Sequence, residues 1–220
     1  MNTKQENVSG MELSAAIRAR RSVKHYDPDH KLTDHELRDL LSAAALAPTS
    51  FNMQNRHFIA VVDKERKNQL QKAAWGQEQV RDASVVIVIA GDLKSHLRGD
   101  RYLRNAPAPV REQLEPMIAS FYNDKDALLR DEACRSVGLA AMNLMLTAKS
   151  LGFDSCPLIG FDPTQVSQVI GLDEDHPPLM LVVVGKGTKP ASDRLGLLNL
   201  EELVSVDVFG NHSITGEIDA

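Results

Sequence analysis

Residues 84–92 read Ser-Val-Val-Ile-Val-Ile-Ala-Gly-Asp (SVVIVIAGD). A run of β-branched residues with no polar alternation describes a strand covered on both faces, because a strand with one wet face alternates apolar and polar side chains. Leu179 to Gly185 (LMLVVVG) is a second run of the same kind. Both are far too short to span a bilayer. Together they predict a central sheet, and the segments around them predict what covers it.

Met11 to Arg20 carries apolar Leu13, Ala16 and Ile17, as a short amphipathic helix would. Thr33 and Glu36 make a capping box, followed by Leu37, Leu40, Leu41, Ala44 and Ala45 on one helical face. This helix ends by Ala47, because Pro48 disfavours helical dihedrals in the residue before it. His57 to Asp63 reads as a strand, and Lys64 to Ala74 as a charged helix. Leu93 to Ala108, with Arg98, Arg101, Arg104 and Pro107, reads as a loop or excursion. Helices follow over 110–122 and 126–151. The second is crowded with small residues from Gly138 to Ala148, which suits a buried helix or one against a second subunit, and Gly152 stops it. Phe153 to Ile159 reads as a strand. Asp162 then caps a helix with Pro163 at its first position, ending at Gly171. Beyond Gly187 the chain is loop-like except near Leu200 to Val204. With no internal repeat, low-complexity tract or linker, the pattern predicts α+β architecture in one domain, residues 1–220, with helices on both sides of the sheet and a frayed tail over residues 1–9.

Composition agrees. A chain of 220 residues with 43% apolar and 25% charged residues is an ordinary globular chain. Lys+Arg 25 against Asp+Glu 30 gives a net charge of −5, which argues against a dedicated binder of nucleic acid or of an anionic membrane. Two cysteines, Cys134 and Cys156, make no disulfide framework, and the first ten residues have no apolar signal core, so a cytoplasmic protein is expected.

Four segments carry chemistry. Arg20-Arg21-Ser22-Val23-Lys24, if extended, points Arg20, Ser22 and Lys24 the same way, and two cations with a hydroxyl suit anionic oxygens. Taken alone, the spacing favours a solvated basic edge. Ala47 to Gln54 (APTSFNMQ) offers hydroxyls and amides able to bond a heteroaromatic ring or sugar alcohols, or is a plain turn. Cys156 to Asp162 (CPLIGFD) runs from a strand end to a helix cap, where a glycine exposes backbone N–H groups or simply turns the chain. Arg194 stands in an ordinary loop. His25, His30 and His35 are spaced around a helix rather than along one face, and no HExxH, paired-cysteine or Asp-rich loop is present, so no metal site is expected. GxSxG and GxGxxG are absent as well.

Taken in order, RRSVKHYDP at 20–28, APTSFNMQNRHF at 47–58, CPLIGFD at 156–162, LMLVVVGK at 179–186 and DRLG at 193–196 resemble the FMN-dependent nitroreductase family over about residues 11–200. The resemblance implies a central, mainly antiparallel sheet flanked by helices. It also implies an intertwined homodimer with shared FMN sites, and a C-terminal arm, 205–220, lying on the partner subunit. It places Arg20, Arg21, Ser22 and Lys24 at the FMN, with Arg194 joining the phosphate. Pro48, Thr49, Ser50, Asn52 and Gln54 would reach the flavin from the other subunit. Pro157, Leu158, Ile159 and Gly160 would lie at the ring's reactive edge, with Gln77 as an amide against the ring. Lys24 would stabilise charge on the reduced ring, and no protein side chain would serve as catalytic acid, base or nucleophile. The activity implied is transfer of hydride from NADH or NADPH, through tightly bound FMN, to a nitroaromatic, quinone or similar electrophile by a ping-pong mechanism. Two alternatives are reduction of another acceptor (an enone, aldehyde, halogenated aromatic or free flavin) and a flavin carrier or sensor without turnover. The sequence departs from the family where Asn55-Arg56 follows Gln54, where Gly196 ends the last motif, and where Ser192 or Asp193 stands in place of a second cation.

Overall fold

A computed structural model describes residues 11–218, so the tail expected at 1–9 lies outside the described residues. The chain divides into two compact units, Met1–Lys189 and Pro190–Ala220. The first holds a four-stranded antiparallel sheet in the order β1-β2-β4-β3, with β1 Arg56–Val61, β2 Val85–Gly91, β3 Asp154–Leu158 and β4 Pro178–Gly185.

The strand that decided the reading is central and fully buried. Its Val85, Ile87 and Ile89 join Val182 and Val184 of β4 under two helices, α2 (Asp34–Ala45) and α7 (Asp126–Ser150). Leu40 and Ala44 of α2 and Val137, Ala140, Ala141, Leu144 and Ala148 of α7 complete that layer. The small residues of α7 therefore serve close packing inside the protomer, while Leu139 and Met142 on the same helix stay exposed. Each fully buried valine, leucine or isoleucine contributes roughly 1.5–3 kcal/mol. Val86, Val88, Leu181 and Val183 on the opposite face are equally buried. Over that side α8 (Pro163–Ile170) packs on β4 and on α3 (Lys64–Ala73).

The signalled caps are present. Glu36 N–H donates to the Thr33 hydroxyl while Thr33 N–H donates to the Glu36 carboxylate, and Asp162 accepts from the N–H groups of Thr164 and Gln165. Gly171 takes the left-handed conformation that ends α8.

Several expectations need correction. α1 is shorter, Leu13–Ala19, and of its apolar positions only Ala16 is buried, with Leu13 and Ile17 exposed. The excursion at 93–108 is not plain loop. It carries a 3-10 turn, Ser95–Leu97, and α5, Gly99–Tyr102, before α6 begins at Ala108 and runs to Tyr122. A short helix, α4 (Glu78–Asp82), follows α3 where none was expected. Tyr102, Leu103, Ile118, Tyr122 and Leu129 close around Met53 as a satellite core, which ties the excursion to the loop before β1. The second unit contains α9, Leu200–Leu203. Among the described residues no helix is long and apolar enough to cross a membrane.

Candidate functional site

The segment after α1 is extended and lies along the free edge of β3. Ser22 bridges Ser155 in parallel, Val23 N–H donates to the Ser155 carbonyl at 3.2 Å, and Asp27 N–H donates to the Lys186 carbonyl at 2.9 Å. Val23 points into the core, so its neighbours Ser22 and Lys24 are exposed on the other side, as the alternation predicts. The bridge to Ser155 sets this segment beside the buried Cys156 of β3, and Arg20, Ser22 and Lys24 all act electrostatically on its thiol. Burial pushes that thiol up, while Ser22 and the charges of Lys24 and Arg20 pull it down. The raised value keeps Cys156 a neutral thiol and removes it as a nucleophile. Arg20 is half-buried, and its Nε is buried without a hydrogen-bond partner. Arg21 beside it is half-buried.

β3 delivers Pro157 and Leu158 to the Ile159–Gly160 turn, where Ile159 is 78% exposed. Gln77, in the turn after α3, donates from Nε2 to the Gly160 carbonyl at 2.8 Å and accepts from Gln79 Nε2 at 2.9 Å. Its amide is thus engaged in holding this turn. Trp75 lies over the same glycine: a Cβ on Gly160 would sit 3.1 Å from the indole Cζ3. Trp75 and Gly76 both have positive φ, which is how the chain folds back from α3 to present Gln77.

The Pro48–Gln54 loop stands at the opposite edge of the sheet, leading into β1. Phe51, Asn52 and Gln54 all take left-handed backbone at φ 50, 56 and 49, a conformation that costs non-glycine residues about 1 kcal/mol or more each. Bonds from the surroundings maintain it. Tyr122 Oη donates to Ser50 Oγ at 3.0 Å, Asn52 Nδ2 to the Tyr102 carbonyl at 3.1 Å, and Gln54 N–H to Thr49 Oγ1 at 2.9 Å. Arg56 anchors the base of the loop. Its guanidinium, in a residue only 8% exposed, donates to the carbonyls of Ala45 and Ala47 at 2.9 and 2.7 Å, at the end of α2.

β1 and β3 are three strand spacings apart, about 14 Å at ~4.8 Å per spacing, and the Arg20–Lys24 segment lies one spacing further out. The sequence-predicted residues therefore fall into two clusters in one protomer. Arg20, Ser22, Lys24, Gln77, Ile159 and Gly160 gather around the β3 edge, and Ser50, Asn52 and Gln54 lie beyond the β1 edge. Arg194 falls in the second unit and is exposed. A cavity of about 310 Å³ beside Gln54 is lined by Met53, Ser95, Tyr102, Arg98, Arg101 and Arg104. It falls on the excursion where the resemblance to the family implies a substrate pocket, with Arg98, Arg101 and Tyr102 as candidate contacts.

Fold and clusters define an α+β protein with a cation–hydroxyl edge and a separate strained amide loop. The chain belongs to the nitroreductase family, whose model, described as Nitroreductase family, matches residues 17–186. Protein DrgA of Synechocystis is 46% identical over 182 residues, which is 82% of this chain and 87% of DrgA. The CLA biosynthesis enone reductase of Lactiplantibacillus plantarum is 28% identical over 203 residues, 86% of this chain and 92% of the enzyme. The oxygen-insensitive NADPH nitroreductase of Helicobacter pylori is 26% identical over 186 residues, 81% and 89% respectively. Among solved structures, an Exiguobacterium sibiricum protein in complex with FMN superposes with a TM-score of 0.81 at 29% identity, covering 90% of this chain and 98% of that one.

Proposed function

We propose that the chain binds FMN between two copies of itself and passes hydride from NADH or NADPH to a nitroaromatic, a quinone or a similar electrophile in two alternating half-reactions. One observation carries this reading: Arg20, Ser22 and Lys24 converge beside the exposed Ile159–Gly160 turn. The residues fit the cofactor. The buried, unpartnered Arg20 Nε needs an acceptor, and a phosphate oxygen supplies one, with Ser22 beside it for the hydroxylated chain. Bound FMN supplies the hydride chemistry itself. Lys24 is the cation able to offset negative charge on a reduced ring. Gln77 is a positioning residue that fixes the Gly160 carbonyl and leaves the Ile159–Gly160 backbone turned outward. Pro48, Thr49, Ser50, Asn52 and Gln54 supply neutral hydrogen-bonding groups from the second subunit, because within one protomer they lie more than three strand spacings from Lys24. The FMN complex of the E. sibiricum relative supports the cofactor, and the H. pylori relative supports a reduced nicotinamide as donor.

The test is a visible spectrum of the purified protein, taken without oxygen before and after NADH or NADPH. The expected result is a flavin spectrum that bleaches on addition, and the Arg20→Ala variant should lose FMN on gel filtration. A protein that stays colourless when reconstituted with FMN overturns the reading. The similarity to an enone reductase supports a second reading in which the acceptor is an activated alkene. Turnover of an α,β-unsaturated ketone exceeding that of nitrobenzene or benzoquinone would select it.

A further inference from the structure

The cavity beside Gln54 is electrostatically unbalanced. Arg98, Arg101 and Arg104 line it, and the carboxylate ion-paired with the first two is Asp92, which is 6% exposed at the end of β2. Asp92 accepts a hydrogen bond from Arg98 and lies 3.7 Å from Arg101 Nη1, with His176 Nε2 at 4.0 Å on its other side. Two further carboxylates act on Tyr102 from outside the cavity's lining: Asp100 on α5, and Glu115 on α6, which lies 3.9 Å from Arg111 and has a buried Oε1 without a hydrogen-bond partner. Among the described residues Arg104 forms no ion pair. Asp92 thus offsets one of the three positive charges.

The hydrogen-bond inventory is also incomplete. Ser95, 2% exposed, has a buried Oγ with no partner, Arg98 has a buried Nε with none, and the buried Tyr102 hydroxyl has none. All three can donate, and buried donors left unsatisfied cost about 1–3 kcal/mol each. A site with surplus donors and surplus positive charge is complete only when an acceptor-rich anion enters it. The cavity is continuous with the amide loop, since Gln54 lines both and Asn52 holds the Tyr102 carbonyl.

We infer that this cavity is an oxyanion subsite, which takes a carboxylate or phosphate group of the molecule that exchanges hydride at the neighbouring flavin. The inference rests on the flavin reading for its role in turnover, but not for anion binding itself. Two sources share the chemistry: an aromatic acceptor bearing a carboxylate, and the phosphates of the nicotinamide nucleotide. Arg98 is committed to Asp92, so Arg101 and Arg104 are the specificity-determining residues. A guanidinium gives a planar pair of donors to either kind of oxyanion.

The experiment compares 4-nitrobenzoate with 4-nitrobenzamide, near-isosteric acceptors that differ in charge, and NADPH with NADH, in the holoprotein and its Arg101→Gln and Arg104→Gln variants. Calorimetric titration with inorganic pyrophosphate runs beside it at two salt concentrations. Loss of one charge-assisted contact should cut kcat/KM for the anionic molecule about 10- to 100-fold in each variant. The value for 4-nitrobenzamide should stay unchanged, and pyrophosphate binding should weaken with salt. If the loss falls on 4-nitrobenzoate, the anion is the acceptor's. If it falls on NADH or NADPH, it is the nucleotide's. Equal treatment of charged and neutral acceptors in all three proteins, unchanged nucleotide KM values and no pyrophosphate binding would overturn the subsite. A colourless protein that still binds pyrophosphate through Arg104 would keep the subsite and remove the flavin reading. A flavoprotein indifferent to charge would do the reverse.

Discussion

Replacing Arg56 with leucine tests how the amide loop is held, because a single buried guanidinium closes the end of α2 on which that loop begins. The Arg56 donors reach the carbonyls of Ala45 and Ala47 at 2.9 and 2.7 Å, with a third, longer contact to Ala44 at 3.4 Å. Two sound bonds from a charged donor are worth about 3–6 kcal/mol together. Burial works against them, and it holds the guanidinium below its ordinary pKa. Leucine also recovers some apolar burial. The net loss expected is about 2–4 kcal/mol, or a melting temperature lower by roughly 5–15 °C for a chain of this size. All the Arg56 bonds leave Nη2, so Arg56→Lys keeps a charged donor but on a shorter, flexible stem, and it should fall between parent and leucine variant. Urea unfolding measures the stability, and FMN titration followed by flavin fluorescence measures the loop. FMN binding should weaken in Arg56→Leu by more than in an equally destabilised core variant such as Val166→Ala on α8. A leucine variant within about 1 kcal/mol of the parent would refute the reasoning, since it would mean that water satisfies the carbonyls equally well.

Trp75 is the chain's single tryptophan and is 71% exposed above Gly160. FMN added to apoprotein should quench its emission, and a titration with unchanged emission would separate this turn from the flavin. Glu36 has a pKa held below its ordinary 4.5, first by the Thr33 backbone N–H, so its contribution is present above that value and lost as pH falls through the lowered one. The stability difference between parent and Glu36→Gln, read by urea unfolding, should therefore shrink on going from pH 7 to pH 3. Gly185→Ala should cost about 1–3 kcal/mol in thermal unfolding, because the added Cβ would stand 2.9 Å from the Ser84 backbone nitrogen, which cannot move aside as a side chain can.

The sheet was legible because SVVIVIAGD and LMLVVVG have no polar face to present, and the capped helices because Thr33, Glu36, Asp162 and Pro163 act on their nearest neighbours. α4 and the short helices after β2 were not legible, since elements of three to five residues show no period. Side-chain bonds with no periodic signature shape the segment after β2 instead: Asp92 accepts from Lys94 N–H and from Arg98 and so bends the chain into the excursion. Alternation in RRSVK was visible, whereas its convergence on Cys156 depends on a bridge to a strand far along the chain. Arg56 had no evident role, because its partners are backbone carbonyls, which leave no mark in a sequence.

The sheet order also sets how cofactor and assembly depend on each other under the proposed function. β1 starts and β3 ends at the same end of the sheet, on opposite edges, so the loop before β1 and the turn after β3 face the same way without meeting. On the proposed reading, the two that touch one FMN come from different chains. Binding and association then share one equilibrium, and each strengthens the other by the same factor. FMN at 100 times its dissociation constant would add about 2.7 kcal/mol per site to the dimer. Arg20→Ala, which on this reading removes a contact to FMN rather than one between the chains, should therefore weaken the dimer only when FMN is present. Sedimentation of the parent and variant, with and without FMN, separates that linkage from a dimer that forms regardless of its cofactor: equal association in all four samples would mean that FMN binding and association do not share one equilibrium.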